Sequence, residues 1–278
     1  MPKLEFLASI GLSKVDLLKM ISSHPKMLSR SLNQKLIPQY NYLKSILSRD
    51  DVVKVVNRSS WILSQMDVPS KVLLLRRVGV PQSHIPQLLT YSPKLFSLSI
   101  AKFEMNVKEV MCMGFDTSSK QFSKAFMVFS QMKKSTWEGK INLYKRLGWT
   151  DDDIMLAFKK TPSILAFSEE RIMNKMDFLV NKMGWKSGNV ARVPVVLNFS
   201  LEDSIIPRCS VIKVLKCKGL IKRAISLSVV SSPSKYFFDT YVVKYLNQVP
   251  QLSSIFQGKT TLQDLGMSFD EKPQTIES

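Results

Sequence analysis

Histidine and cysteine are scarce in this sequence: a chain of 278 residues has two histidines and three cysteines. No two cysteines form a CxxC pair, so the ligand spacing of a structural zinc site is missing and we expect no bound metal. The glycine-rich phosphate loops and the HExxH pattern that mark common classes of enzyme are also absent. We therefore expect neither a cofactor nor an enzymatic activity.

Glycine and long apolar runs are scarce as well. The chain has 10 glycines, too few for the many glycine-rich turns of a β-sandwich or β-barrel. No apolar run approaches the ~20 residues that span a bilayer, so we expect no membrane association. Hydrophobic residues make up 45% of the chain, and Leu, Ile, Val, Met and Lys dominate. This composition favours a folded, all-α protein.

Acidic residues are the third shortage. The 22 Asp and Glu are outnumbered by 40 Lys and Arg, which gives a formal net charge of +18. A surface with this excess attracts polyanions, and nucleic acid is the commonest partner of that kind. The charge says nothing about the fold, and on its own it leaves open a soluble protein that is merely basic.

Six of the glycines recur at an almost constant interval. They follow one another after 68, 35, 34, 36 and 35 residues, and the first interval is two periods of 34. The six are Gly11, Gly79, Gly114, Gly148, Gly184 and Gly219. A fixed period of this length indicates a helical repeat whose units are stable only when they stack on their neighbours.

Prolines mark two further points in the repeat. Pro25, Pro93 and Pro162 each lie 14 residues after a repeat glycine, and apolar residues follow them. Pro194 lies only 10 residues after Gly184, and Pro38 and Pro207 lie 13 residues after Pro25 and Pro194. We expect the glycine to end one helix, a Ser, Thr or Asp to cap the next helix, and the first proline to end that helix in turn. A second helix then runs to the next glycine.

The two ends of the chain have patterns of their own. Pro2 fits the second proline position, so we predict that the chain starts in mid-repeat and lacks an N-terminal part. We predict a helical solenoid over residues 1–257, whose last part, residues 236–257, is a C-terminal cap. Residues 258–278 are predicted to be a polar tail that is disordered at its end.

The repeat resembles that of the mTERF family, which is named for mitochondrial transcription termination factors. Its unit, Gly-x-Ser/Thr followed by Pro-x-Ile/Leu-Leu, recurs over nearly the whole chain, from about residue 2 to residue 258. Residues 148–165, 192–202 and 206–220 resemble the plant branch of the family, and residues 237–252 resemble the C-terminal cap of that branch.

This resemblance implies a curved all-α superhelix of about seven repeats, each with two helices and a short 3₁₀ turn. It implies binding to duplex DNA or to structured RNA in a mitochondrion or chloroplast, and a role in transcription, its termination or RNA processing. Other organellar gene-expression proteins are further expected partners, and we expect a monomer. The sequence departs from the family in having no visible transit peptide.

Basic residues recur just before the repeat glycines, where stacked repeats present them at intervals to a phosphate backbone. From Ser204 to Phe238 the chain has several Lys and Arg but no acidic residue, a pattern that indicates contact with a polyanion. Cations near a helix C-terminus also offset its dipole, so the recurring set has a purely structural alternative. The predicted nucleic-acid-binding residues are Arg76, Arg77, Lys145, Arg146, Lys182, Arg208, Lys213, Lys216, Lys218, Lys222 and Arg223.

A protein-interaction scaffold without direct nucleic-acid contact is the alternative function. Helical solenoids commonly bind other proteins, and the basic stretch would then dock an acidic partner. A reader of RNA with one base per repeat has a similar period, but it does not need the 14-residue interval from glycine to proline that this sequence has.

Overall fold

A computed structural model describes residues 2–65, 67–222 and 226–269 of the chain. Within these ranges the backbone forms helices, turns and connecting segments, and no β-strand occurs. The predicted all-α fold is confirmed. No helix in these ranges combines the length and the apolar character that crossing a bilayer requires.

The chain divides into two compact units, Met1–Lys133 and Lys134–Ser278. The α-helices described in the first unit are α1 (Pro2–Ser9), α2 (Lys14–Ser23), α3 (Ile37–Lys44), α4 (Arg49–Arg58), α5 (Val68–Arg77), α6 (Ile85–Tyr91), α7 (Ile100–Cys112) and α8 (Lys120–Gln131). Those described in the second unit are α9 (Lys134–Arg146), α10 (Asp151–Lys160), α11 (Glu169–Met176), α12 (Ser187–Arg192), α13 (Ile206–Cys217), α14 (Leu227–Val230), α15 (Ser234–Phe237) and α16 (Leu252–Phe256).

The repeat glycines end the second helix of each repeat. All six have a positive φ, from +69° at Gly219 to +104° at Gly11. Backbone in this region is strained for any residue with a Cβ atom, which is why glycine recurs. At Gly79 a Cβ atom would also lie 3.1 Å from the hydroxyl oxygen of Thr117. The predicted function of these glycines as helix terminators is confirmed.

A short 3₁₀ turn follows the first helix of most repeats. The residues that precede five such turns share one backbone conformation, with φ from −153° to −124° and ψ from 54° to 79°. The turns are therefore geometric equivalents, and the turn that the family resemblance implies is confirmed. They are Pro25–Met27, Ser60–Ser64, Pro93–Ser97, Pro162–Ala166 and Pro194–Asn198.

The repeat between Gly114 and Gly148 lacks this turn. Only two residues connect α8 to α9, and the sequence has neither a proline nor a clear apolar block at this point. In the next repeat the apolar block is fully buried at Ile164 and Leu165. Without such side chains there is nothing to anchor a turn, and the first compact unit ends at this connection.

The second proline of the repeat alters the start of two second helices. The segments Leu32–Leu36 and Leu201–Ile205 are π-helical, and Pro38 and Pro207 follow them at the second residue of α3 and α13. A proline has no N–H to donate, and its ring crowds the carbonyl group four residues earlier. The wider hydrogen-bonded ring of a π-helix relieves this conflict.

Serine or threonine caps many of the helices, as the repeat pattern predicts, and Ser13 and Thr150 are two examples. In each case the side-chain oxygen accepts a hydrogen bond from a backbone N–H of the first turn. At Thr150 the carboxylate of Asp153 also accepts from the backbone N–H of Thr150, which completes a capping box. The other caps of this kind are Ser31, Ser48, Ser99, Ser119, Ser168 and Ser200.

Buried cations connect second helices to the repeat that follows. Lys71 is fully buried, and its Nζ donates to the carbonyl oxygen of Phe96 at 2.7 Å. Lys175 is 3% exposed and donates to the carbonyl oxygens of Leu197, at 2.7 Å, and Phe199. A buried charge is tolerated only when it is hydrogen-bonded. These contacts therefore fix one repeat against the 3₁₀ turn of the next.

The buried cations belong to a repeat position that is polar throughout. Successive members of this position are 32 to 36 residues apart, and all but the first are buried. Lys3, the first member, donates to the carbonyl oxygen of Leu28 at 2.6 Å. The members are Lys3, Gln39, Lys71, Asn106, Lys140, Lys175 and Arg208. The repeat thus has a polar position inside its core as well as a glycine and two prolines.

The segment after residue 257 starts with a folded part. Leu262 is 5% exposed, and Met267 and Phe269 pack against the same core as α13 and α16. The ring of Phe269 meets that of Phe178 edge-on, with 5.1 Å between the centroids. The prediction of a polar tail from residue 258 is therefore corrected for residues 258–269, because these apolar side chains are packed. Residues 270–278 lie outside the described part of the chain.

Candidate nucleic-acid interface

Five of the cations predicted before the repeat glycines are exposed and lie at the ends of second helices. Arg76 and Arg77 end α5, and Lys145 and Arg146 end α9. Lys182 is the last residue of the helical segment that follows α11. These positions favour a cation for the sake of the helix dipole alone. A cation at a helix end therefore indicates nucleic-acid binding only if the residues around it leave it able to contact a phosphate group.

Lys145 and Arg76 each contact a polar side chain of the protein. The Nζ of Lys145 lies 2.8 Å from the Oδ1 of Asp151, the first residue of α10. The Nε of Arg76 donates to the Oε1 of Gln82 at 2.8 Å. An exposed ion pair contributes at most about 1 kcal/mol to stability. The Asp151 carboxylate nevertheless lowers the positive potential that a phosphate group meets at Lys145, so Lys145 is the poorer candidate.

Arg208 is not a surface residue, and its assignment as a nucleic-acid contact is wrong. Only 2% of it is exposed, and its guanidinium donates to the carbonyl oxygens of Val230 at 2.7 Å and Ser232 at 2.6 Å. The rings of Phe199 and Phe237 each lie 5.2 Å from the guanidinium carbon. Burial lowers the pKa of Arg208. The protein encloses this cation completely, and a phosphate group has no access to it.

The remaining predicted cations of the acid-free stretch lie on or after α13. Lys213 and Lys216 are half-buried, and Lys218 and Lys222 are exposed. Arg223 lies outside the described residues. The stretch is thus interior at its start and reaches the surface only near the repeat glycine, a division that a charge count along the sequence does not reveal.

The residues after each repeat glycine decide the local sign of the charge. Residues 185–192 and 220–222, which follow the last two repeat glycines, contain no acid, and they add Lys186, Arg192 and Lys222. The junction after Gly79 also has no acid, whereas acids stand at the start of α2, α4 and α10 and in the loop before α8. These are Asp16, Asp50, Asp51, Asp116, Asp151, Asp152 and Asp153.

Several of these acids are held in the charged form. The hydroxyl of Ser13 donates to the carboxylate of Asp16 at 2.6 Å and lowers the pKa of Asp16. The hydroxyl of Ser48 does the same for Asp51, at 2.8 Å. A fixed negative charge therefore stands at the start of these helices over the whole physiological pH range, whereas the chain after Gly79, Gly184 and Gly219 reaches no acid until Glu104, Glu202 and Asp239.

We use the name C-terminal lysine group for Lys182, Lys186, Lys216, Lys218 and Lys222. They lie at the ends of two successive second helices and in the loops that follow them. Lys182 lines a cavity together with Glu202 and with Ile206 and Pro207 of α13, so the two helical segments adjoin. Ammonium groups in this arrangement suit the negatively charged oxygens of a phosphate backbone.

Lys186 was missed by the sequence analysis. It follows Gly184 by two residues, where the preceding repeat has the capping residue Thr150, and it is exposed. The sequence feature that could have identified Lys186 is a cation at the position of a helix cap. This replacement becomes visible only when the repeats are aligned with one another. In the part of the chain that the structure covers, no group of three His, Cys, Asp or Glu side chains could hold a metal ion.

These features define a helical-repeat protein whose last described junctions are basic. The mTERF family model matches residues 1–176 and 168–238, and the chain belongs to this family, as the resemblance implied. It is 24% identical over 256 residues to the Arabidopsis thaliana protein named transcription termination factor MTERF15, mitochondrial. That match covers 91% of this chain and 49% of the relative.

A second relative from the same plant is named transcription termination factor MTERF8, chloroplastic. The identity is 21% over 186 residues, which is 65% of this chain and 37% of that protein. The chain thus spans half or less of the length of these two curated relatives. Their names place one in the mitochondrion and the other in the chloroplast.

Proposed function

We propose that this protein binds nucleic acid through the C-terminal lysine group and thereby regulates gene expression in a mitochondrion or chloroplast. The observation that carries the proposal is the charge at the last two repeat junctions, where lysines, all but Lys216 exposed, are followed by no acid in the residues after the repeat glycine. Family membership and the two organellar relatives support the proposed location and role.

The lysines contact phosphate groups and do not read bases in this proposal. An ammonium group is a point charge that binds phosphate oxygens without fixing a base sequence. Duplex DNA is the proposed ligand, and structured RNA is the variant that the same chemistry allows. The finer roles, which are regulation of transcription, its termination or RNA processing, follow from what the ligand is and where it lies in the genome.

Equilibrium binding of the purified chain to labelled DNA and RNA duplexes at several salt concentrations tests the proposal. The affinity should fall linearly with salt on logarithmic axes, with a slope of about 0.9 for each phosphate contact on DNA. An absence of binding at low salt, or an affinity that salt does not change, would refute the proposal.

The same assay separates the scaffold function from nucleic-acid binding. A scaffold would co-purify with an acidic protein after nuclease treatment and would show no saturable binding to either duplex. Loss of all partners on nuclease treatment would favour direct contact with nucleic acid.

A further inference from the structure

The equivalence of the 3₁₀ turns allows the repeats to be compared residue by residue. The residue before the turn is Ser92 in the third repeat, Thr161 in the fifth and Val193 in the sixth, but His24 in the first. All four share the same backbone conformation. A small residue at this point is thus the rule, and histidine is the exception.

A second position departs from the pattern in the same place. Five residues after the proline of the turn, later repeats have Leu98, Phe167 or Phe199, whereas the first repeat has Arg30. Trp61 of the second repeat stands at a variable position, which holds Lys94 in the third repeat and Ser163 in the fifth. The side chains of His24, Arg30 and Trp61 meet in the wall of one cavity. Departures from a repeat that converge on one cavity suggest a function that the other repeats do not have.

The cavity has a volume of about 320 Å³ and lies between the first two 3₁₀ turns. Lys26 also lines it, and no acidic side chain lies among its described lining residues. Lys26 and Arg30 are exposed, and no hydrogen bond or ion pair connects their side chains to another described residue. Two cations are therefore available at the rim of a small cavity.

The inner wall of the cavity is polar and ordered. The Nδ1 of His24 lies 3.1 Å from the hydroxyl oxygen of Ser60, which is 4% exposed. This contact fixes the imidazole ring, and the Nε2 atom has no partner among the described residues. Trp61 is half-buried and lines the cavity.

We propose that this cavity binds a single unpaired nucleotide, with its base against Trp61 and its phosphate at Lys26 and Arg30. Aromatic side chains stack on bases of any sequence, and cations beside them hold the backbone. Arg binds phosphate with two parallel hydrogen bonds. The cavity is near the lower limit of ligand sites, about 300 Å³, and admits one nucleotide rather than a base pair.

This inference rests on the proposed nucleic-acid binding and adds a ligand class to it. The cavity lies wholly in the first compact unit, whereas the C-terminal lysine group belongs to the second. The nucleotide would come from a strand with an unpaired position, such as a bulge, a loop or an overhang. Each site can therefore be tested without the other.

Titration of the intact chain with adenosine monophosphate at low salt, followed by tryptophan fluorescence, is the primary test. Trp61→Phe identifies the part of the signal that comes from Trp61. We expect saturable quenching of Trp61, weakened about tenfold or more by Arg30→Leu and Lys26→Gln. Arg30→Leu installs the residue type of Leu98, which the equivalent turn already accommodates.

Lys94→Gln is the matched control, because Lys94 is exposed and equivalent to Lys26 but lies outside the cavity. It should leave the quenching unchanged. The inference is overturned if adenosine monophosphate does not quench Trp61, if Arg30→Leu binds as tightly as the wild type, or if Lys94→Gln weakens binding as much as Lys26→Gln.

A second measurement uses a blunt DNA duplex and the same duplex with one bulged nucleotide. The wild type should prefer the bulged duplex, and Trp61→Ser, which copies Ser163 of a later turn, should bind both equally. If Trp61→Ser keeps the preference, the nucleotide site is refuted although blunt-duplex binding persists. If neither the wild type nor any variant binds the blunt duplex, the proposed function is refuted. The fluorescence titration then still shows whether the cavity binds a nucleotide.

Discussion

The junctions at Gly148 and Gly219 have the same backbone but different charge. Both glycines have positive φ, +86° and +69°, and both follow a second helix that ends with basic residues. After Gly148 the chain continues with three aspartates, and Asp151 pairs with Lys145 at 2.8 Å. After Gly219 no acid follows for the next 19 residues, up to Asp239.

This comparison shows that a cation at a helix end is not by itself a binding site. The junction at Gly148 uses its acids to start α10 through a capping box, and the same acids lower the attraction for a polyanion. The junction at Gly219 has no such acid at the start of the following segment, so its positive charge is not offset there. The difference lies in the residues after the glycine.

The largest expected effect is on stability, where loss of the buried cation Arg208 should cost far more than loss of an exposed lysine. Arg208→Met should lower the free energy of unfolding by about 3 kcal/mol, because it leaves two buried carbonyl groups without donors. Lys218→Gln, at an exposed position in the same basic stretch, should change it by less than about 0.5 kcal/mol. Chemical denaturation measures both, and an equal loss for the two variants would contradict the assigned burial.

The next effect concerns binding at the Gly219 junction. Replacing Lys216, Lys218 and Lys222 with Gln should reduce the logarithmic salt slope of DNA binding by about 2 to 3, at about 0.9 for each lost phosphate contact. Fluorescence anisotropy at several salt concentrations measures the slope.

The matched control for this variant removes three exposed lysines elsewhere in the same unit. The control changes Lys235, Lys244 and Lys259 to Gln, so the loss of net charge is the same. Its salt slope should stay near that of the wild type. If both triple variants lose the same slope, net charge alone and not the junction governs binding.

A smaller effect is expected when the Gly184 junction acquires an acid like that after Gly148. Lys186→Glu should weaken DNA binding about tenfold, because it removes one cation and adds a repulsive charge. Lys186→Gln, which only removes the cation, should lie between this variant and the wild type. Equal affinities of the Glu and Gln variants would contradict a function for the missing acids.

The pH dependence of stability distinguishes the buried Lys175 from exposed lysines. Burial, and next the charge of Arg171, lower the pKa of Lys175 from 10.5 to about 8. Between these two pH values the unfolded chain binds more protons at this site than the folded chain, so stability gains from rising pH. Lys175→Met should lose this gain between pH 8 and 10.5, whereas Lys186→Gln should keep it, as denaturation at each pH will measure.

The smallest expected effect comes from removing the ion-pair partner of Lys145. Asp151→Asn removes the ion pair and should strengthen DNA binding about twofold, since exposed pairs are worth less than about 1 kcal/mol. The variant should lose a few tenths of a kcal/mol of stability, because a charge at a helix start is lost. A weaker affinity for DNA than that of the wild type would show that Asp151 does not oppose binding.

The helical repeat could be predicted from the sequence because glycine and proline act locally. A residue with positive φ after a helix, or a proline at the start of a turn, is needed whatever surrounds it, so Gly148 and Pro162 mark their positions directly. The missing turn between α8 and α9 also coincides with a missing proline and apolar block.

The site could be predicted only in part, because the sequence does not say which cations are buried. Arg208 stands in a basic stretch, yet the protein encloses it. The available signal was its spacing from Lys71 and Lys175, which places it in the polar position of the repeat core. The ion pair of Lys145 with Asp151 depends on how the loop folds back, and no pattern of spacing shows this.

The most direct measurement compares the salt slopes of wild-type DNA binding and of a variant in which all five members of the C-terminal lysine group are Gln. A thermal unfolding curve confirms that the variant is folded. We predict that its slope falls by about 4.5, at about 0.9 per phosphate contact. A folded variant that binds DNA with the wild-type slope would contradict the assignment of these lysines as the nucleic-acid interface.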